Sequence, residues 1–193
     1  YLNLYGFDLQ KEQLQMLNQS LEKTKELKSL TLKLIGHNNA SKEEVFTPLL
    51  TNLKLLPSLS SLSFSLSGVS DEDFESFFIQ LEDLFNLSDL TLKFEDLKEM
   101  SHGSARQLGL TLGNLPRLAS LRLSISSILG LNDRESQAIF SGLEKAKYLE
   151  SIYTFFDEGS NKELKHGQAE HQVLKTLSNK LRRLSFVVCK RYS

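Results

Sequence analysis

The stretch Leu59-Ser-Ser-Leu62-Ser-Phe64-Ser-Leu66 carries apolar residues at its first, fourth, sixth and eighth positions, and this spacing recurs along the chain. Three close copies begin at Leu27, Leu87 and Leu118, and two looser copies begin at Leu149 and Leu181. Consecutive copies are 32, 28, 31, 31 and 32 residues apart. A constant period of this length is typical of proteins that stack one small unit upon the next.

Each unit is predicted to contain one strand and one helix. The alternation in the quoted stretch indicates a strand with one buried face. Helical stripes lie between the strands, and the strongest comprises Phe74, Phe77, Phe78, Leu81, Leu84 and Phe85. Ser70 with Asp73, and Ser104 with Gln107, have the spacing of helix-capping pairs. A last helix is predicted over about residues 168–178.

Such a unit has two apolar faces that only neighbouring units can cover, so the units are expected to stack side by side. The strands then form a parallel sheet and the helices a second layer, which is an α/β fold. Because packed helices are roughly twice as far apart as strands about 4.8 Å apart, the stack is predicted to curve. The sheet would line the concave side and the helices the convex side.

The L-x-x-L-x-L core with a helix in each unit resembles leucine-rich repeats of the long, ribonuclease-inhibitor-like type. The resemblance covers residues 1–193 as a single solenoid domain of about six full repeats, with a partial one at Leu2-Asn-Leu4-Tyr5. It implies a concave surface that binds proteins or peptides. The family's Asn or Cys after each strand is matched only by Cys189, and Ile35, Ser67, Glu95, Ser126 and Asp157 occupy the other positions. We therefore expect irregular turns after the strands.

Composition narrows the class of partner. The net charge is -1, whereas a dedicated nucleic-acid-binding domain is usually strongly basic. The charge is uneven, since residues 1–100 hold 9 Lys against 16 acids and residues 101–193 hold 14 Lys and Arg against 8 acids. RNA binding through the basic C-terminal half therefore stays open as a less favoured alternative, and it predicts strong salt dependence.

The cysteine content and the apolar runs bear on location. Cys189 is the single cysteine, which excludes an internal disulfide framework and favours a reducing, intracellular compartment such as the cytoplasm. No apolar run approaches the roughly 18 residues that a membrane span requires. The chain begins inside a strand motif at Tyr1, so we expect it to be part of a longer chain or a larger assembly.

Candidate binding residues lie between the apolar strand positions, because strand side chains alternate between the two faces of a sheet. The most prominent are Lys33, Lys93, Arg122, Tyr153, Phe155 and Arg183. Exposed aromatic and arginine side chains are the groups that dominate protein interfaces. An alternative stays open for Tyr153 and Phe155: Thr154 stands where most copies have Leu, and a local bulge could turn both rings into the core.

Catalytic chemistry has little support in the sequence. His37, His102, His166 and His171 lack the spacing of a metal site, and no glycine-rich phosphate-binding motif is present. We therefore expect no catalytic residues, metal or cofactor, and we predict a non-enzymatic scaffold that binds partner proteins. The main alternative is a substrate-recognition domain of a multidomain enzyme or of a ubiquitin-ligase-type complex.

Overall fold

The computed structural model describes residues 1–7, 11–35, 43–68, 70–97, 100–127, 133–157, 175 and 181–189. Strands and helices alternate along most of this length. They are β1 (Leu2–Phe7), α1 (Lys11–Glu22), β2 (Ser29–Ile35), α2 (Glu43–Leu53), β3 (Ser61–Ser67), α3 (Asp71–Leu81), β4 (Asp89–Leu97), α4 (His102–Asn114), β5 (Ser120–Ser127), α5 (Asp133–Leu143), β6 (Ser151–Asp157) and β7 (Arg183–Cys189). The helix predicted over 168–178 falls almost entirely outside the described residues, as do His37, His166 and His171.

The seven strands form one sheet whose spatial order is the same as their order in the chain. Every neighbouring pair is parallel. The predicted α/β fold with a parallel sheet is therefore confirmed. Equivalent positions of the sequence copies pair directly, so that Leu30, Leu62, Leu90 and Leu121 lie side by side across four strands.

The two faces of the sheet differ sharply in burial. In β3 the apolar residues Leu62, Phe64 and Leu66 are buried, and the serines between them are half-buried. The buried face packs against the helices and forms one continuous apolar core that runs from Leu21 to Ile152. The other face, which we call the open face, carries the polar residues between the apolar ones.

A ladder of backbone hydrogen bonds joins consecutive units at the start of each strand. The Ser60 carbonyl accepts from the amides of Ser88 and Asp89, at 2.9 and 3.0 Å. The carbonyls of Lys28, Ser88, Ala119 and Glu150 accept the same pair of bonds from their own next units. Five successive junctions are thus held in one geometry, which fixes the register of the sheet.

Phenylalanine rings fill the space between α3 and the sheet. Phe74 and Phe77 of α3 contact Phe94 and Phe64 of the strands edge-on, with ring centroids 4.4 and 5.3 Å apart. The predicted stripe is confirmed at its core. It is wrong for Phe85, which is 60% exposed, because α3 ends at Leu81 and the following turns carry Phe85 away from the helical stripe.

Helix α4 begins earlier than the sequence predicts. Ser101 is its N-cap and accepts from the Ser104 amide at 3.1 Å, so the expected cap pair of Ser104 and Gln107 is wrong. Ser104 lies buried inside the helix and donates to the Asp71 carbonyl of α3 at 3.3 Å. The Ser70 cap of α3 is as predicted, since its hydroxyl accepts from the Asp73 amide.

Glycines set the contact between α4 and α5. A methyl group on Gly109 would lie 2.6 Å from the Ala138 carbonyl oxygen. Methyl groups on Gly113 and Gly142 would collide with the backbone of the facing helix. The two helix backbones therefore touch directly, and only residues without a side chain fit between them.

The strand pairing is irregular near the end of β4. The pairing of β4 with β5 shifts between Phe94 and Leu97, and Asp96 adopts a left-handed backbone with a φ of 56°. The Ser67 hydroxyl donates to the Asp96 carboxylate at 3.1 Å. A side-chain bond thus links the ends of β3 and β4 at this irregularity.

Candidate partner-binding surface

Two lines of residues run across the middle of the open face, perpendicular to the strands. The strand register aligns Thr31, Ser63, Thr91, Arg122 and Tyr153 in one line and Lys33, Ser65, Lys93, Ser124 and Phe155 in the other. We call these ten residues the central rows. Neighbouring strands lie about 4.8 Å apart, so side chains next to each other in a row are within contact distance.

The structure settles the orientation of the β6 aromatics. The pairing of β5 with β6 is continuous, with Arg122 opposite Tyr153 and Ser124 opposite Phe155. Thr154 is 1% exposed and occupies the core position, whereas Tyr153 is 39% exposed. The alternative in which a bulge turns Tyr153 into the core is therefore wrong. Phe155 is half-buried in the row beside Ser124.

The predicted binding residues fall into two groups. Lys93, Arg122 and Tyr153 are exposed and line one depression of about 510 Å³ on the open face. Lys33 and Phe155 belong to the central rows without lining this depression, and Arg183 is exposed at the start of β7. The placement agrees with the strand alternation, and the role of these residues in binding stays a prediction.

Hydroxyl groups line the base of the depression. Thr31, Ser63, Thr91 and Ser124 line it together with the two cations and the tyrosine. They are half-buried, so they offer short donors and acceptors close to the sheet backbone. Strand alternation places them on this face, and stacking of the sequence copies makes Thr91 a neighbour of Arg122 and Ser124 a neighbour of Lys93, but the sequence does not show that they line one depression.

The cations of the open face have no acidic partner in the described part of the chain. No ion pair is formed there by Lys33, Lys93, Arg122 or Arg183. The neighbouring Arg182 does pair with Glu150, at 3.4 Å. The charges of the central rows are therefore free to pair with an external group, which would cost no internal ion pair.

Carboxylates occur on this face only outside the central rows, as far as the described strands extend. On β4, Asp89 precedes Leu90 and Glu95 follows Phe94, and both side chains are exposed. Asp89 accepts from the Ser88 hydroxyl at 3.0 Å. The arrangement is a positive middle strip with single negative charges at its margins on β4.

Other kinds of site have little support in the described residues. No group of three or more His, Cys, Asp or Glu side chains there is arranged to hold a metal ion. None of the helices in the described ranges combines the length and apolar character needed to cross a bilayer. No protein-family model matches the chain, and no curated protein matches it in sequence.

Proposed function

We propose that the chain is a protein-binding scaffold whose open sheet face receives a partner protein, without catalytic activity of its own. The observation that carries this proposal is the depression lined by Lys93, Arg122 and Tyr153. Arginine and tyrosine are enriched among the residues that contribute most to protein interfaces. Here they stand on a sheet whose register is held by backbone hydrogen bonds, so little order must be imposed on binding.

The proposal includes the shape of the surface. We infer a curved leucine-rich-repeat-type solenoid in which the open face is concave and the helices are convex. Two observations support it: each strand pairs only with its neighbours in the chain, and five junctions share one hydrogen-bond pattern. Side-by-side helices need more width than strands, and bending relieves the mismatch. A concave surface would surround a partner on more sides than a flat one.

The proposal also covers the cellular location of the chain, its assembly and its domain organisation. Cys189 as the single cysteine favours a reducing compartment, and we propose a cytoplasmic location within a larger assembly. The sheet, helices and core of residues 1–193 are proposed to act as one domain. Recognition by the open face is compatible with a recognition role inside a larger enzyme complex, where the reaction would belong to other chains.

Site-specific photocrosslinking in the native cell extract tests the binding surface. One variant carries a photoreactive amino acid at Asp89, which is exposed on the open face, and the matched control carries it at Glu75, which is exposed on α3. We expect a discrete protein adduct from position 89 and none of the same mass from position 75. Equal crosslinking from both positions, or adducts from position 75 alone, would contradict the proposed surface.

A further inference from the structure

The central rows have a charge pattern that selects among possible occupants of the open face. Across β2 to β6 the ten positions hold three cations, five hydroxyls, two aromatic rings and no carboxylate. The pattern is therefore complementary to a negatively charged ligand.

The cations are spread across the strands. Lys33 and Lys93 lie two strands apart in one row, a separation of about 10 Å, and Arg122 lies on the strand next to Lys93 in the other row. Carboxylates along an extended peptide recur at about 3.3 Å per residue, or about 7 Å on one side. A peptide that crosses the strands can thus bring several carboxylates to these cations, and Arg122 can bind one of them through two hydrogen bonds.

The character of the rows changes at β6. Tyr153 and Phe155 replace the hydroxyls and cations of the preceding strands, and the Tyr153 ring is exposed beside Arg122. Aromatic rings contribute apolar contact area, and a tyrosine ring also offers a hydroxyl at its tip. The ligand that fits this sequence of groups is acidic over β4 and β5 and apolar over β6.

We propose that the open face binds an acidic segment of a partner protein, with carboxylates on Lys93 and Arg122 and an apolar side chain on Tyr153 and Phe155. This inference rests on the proposed protein-binding function and adds the chemistry of the ligand. It is carried by charge complementarity, because these cations have no ion-pair partner in the described structure. Exposed charges without a partner speed and orient the approach of an oppositely charged segment.

A protein segment is favoured over a nucleic acid by the rest of the surface. On the open face itself, the exposed carboxylates of Asp89 and Glu95 lie on β4 to either side of the central rows. The first 100 residues carry 16 acids against 9 Lys. A phosphate backbone carries charge along its whole length and would be repelled over this half of the molecule. A short acidic segment meets only the central rows.

Selection from a displayed library of random dodecapeptides tests the proposal. The immobilised chain is the bait, and the strongest peptide is then synthesised and measured by fluorescence anisotropy. The expected peptides carry at least two more acids than bases and one aromatic or branched aliphatic residue near one end. The variant Lys93→Glu/Arg122→Glu is compared with Lys23→Glu/Lys25→Glu, which changes the net charge equally at exposed positions outside the open face.

The open-face variant should weaken the selected peptide at least tenfold, and the control variant less than twofold. Tyr153→Ala should weaken it severalfold and leave the salt dependence unchanged, because it removes contact area and no charge. Absence of enrichment, enrichment of neutral or basic peptides, or equal losses in both charge variants would overturn the inference. Tighter binding of a 12-nucleotide oligouridylate, lost in the open-face variant, would assign the surface to nucleic acid instead.

The crosslinking experiment keeps this inference separate from the proposed function. A protein adduct at position 89 together with peptides that are not acidic would overturn the chemistry of the ligand and leave protein binding intact. Absence of the adduct together with enriched acidic peptides would contradict the claim that the open face binds a protein in the extract. It would leave the proposed ligand chemistry intact.

Discussion

Aromatic rings separate α3 from the sheet, whereas glycines bring α4 into direct contact with α5. Around α3, the rings of Phe74, Phe77 and Phe78 hold the helix away from the sheet and fill the gap. Between α4 and α5, Gly109 and Gly142 let the backbones touch. The strands below stay paired in parallel from β3 to β6, apart from the register shift at the end of β4, and backbone hydrogen bonds set their separation. Side-chain size therefore controls the helix layer, whereas the backbone controls the sheet.

This difference bears on the proposed arc. Neighbouring helices that pack far apart over an evenly spaced sheet increase its curvature, and helices that pack close together reduce it. The proposed arc would then be flatter where α4 and α5 touch than where the helix backbones are further apart, and α4 and α5 follow β4 and β5 in the chain. Lys93 and Arg122 lie on these two strands, so the shape of the proposed binding surface depends on both kinds of packing.

Removal of an aromatic ring should have the largest effect. Phe77 is fully buried and contacts Phe64, Phe78 and Phe94. Phe77→Ala should lower the free energy of unfolding by about 3–5 kcal/mol, because it loses apolar burial and leaves a cavity that its rigid neighbours cannot fill. Urea unfolding followed by circular dichroism measures the change. Phe85→Ala is the matched control and should change stability by less than about 1 kcal/mol, since its ring is exposed.

A loss below about 1.5 kcal/mol for Phe77→Ala would mean that α3 settles into the vacated volume. The rings would then fill the space between α3 and the sheet without fixing its width, and the contrast with the glycine contact of α4 and α5 would disappear.

Addition of one methyl group tests the glycine contact of α4 and α5. Gly142→Ala should destabilise the protein by about 2 kcal/mol, because the new methyl group collides with the Gly109 backbone. The sign of this stability change separates the two effects: without the collision, alanine would stabilise the helix relative to glycine by about 1 kcal/mol. Gly103→Ala is the matched control: its methyl group would lie 3.5 Å from the Ser101 hydroxyl, an ordinary contact. The control should be neutral or stabilising in the same urea measurement.

Equal stabilisation by both alanine variants would show that α4 and α5 are free to separate. The glycine contact would then be a consequence of the neighbouring packing rather than its cause.

The sequence predicts correctly those features that depend on residues close together in the chain. Alternation located β3 and its buried Leu62 and Phe64, and helical spacing located Phe74 and Phe77. It failed where a distant residue decides the outcome. Ser104 has the spacing of a cap, but its hydroxyl bonds to the Asp71 carbonyl of another helix and Ser101 becomes the cap.

The glycines illustrate the same limit. From the sequence alone, Gly109 and Gly113 are expected to destabilise α4, since each glycine disfavours a helix by about 1 kcal/mol. Their function in packing depends on Gly142, which lies 29 residues or more further along the chain. For the candidate surface, alternation placed Lys93 and Arg122 on the open face. Whether Lys93 pairs with Asp89 or Glu95 on its own strand was not contained in the pattern.

The smallest expected effect concerns hydroxyl groups buried in α4 and α5. Ser136 of α5 is fully buried, and its hydroxyl has no hydrogen-bond partner among the described residues. Thr111 of α4 is equally buried, but its hydroxyl donates to the Phe78 carbonyl at 3.0 Å. Ser136→Ala should therefore raise the free energy of unfolding by about 1 kcal/mol, because it removes a polar group that folding strips of water. Thr111→Val should lower it by about 1 kcal/mol, since it removes the bond to Phe78 and the 3.3 Å bond from the Gln107 side chain and keeps the shape. Opposite signs in urea unfolding would show that the helix layer tolerates a buried hydroxyl only where a carbonyl of a neighbouring helix accepts its proton. A loss of stability in both variants would instead assign the Ser136 hydroxyl a favourable interaction within the core and contradict this account.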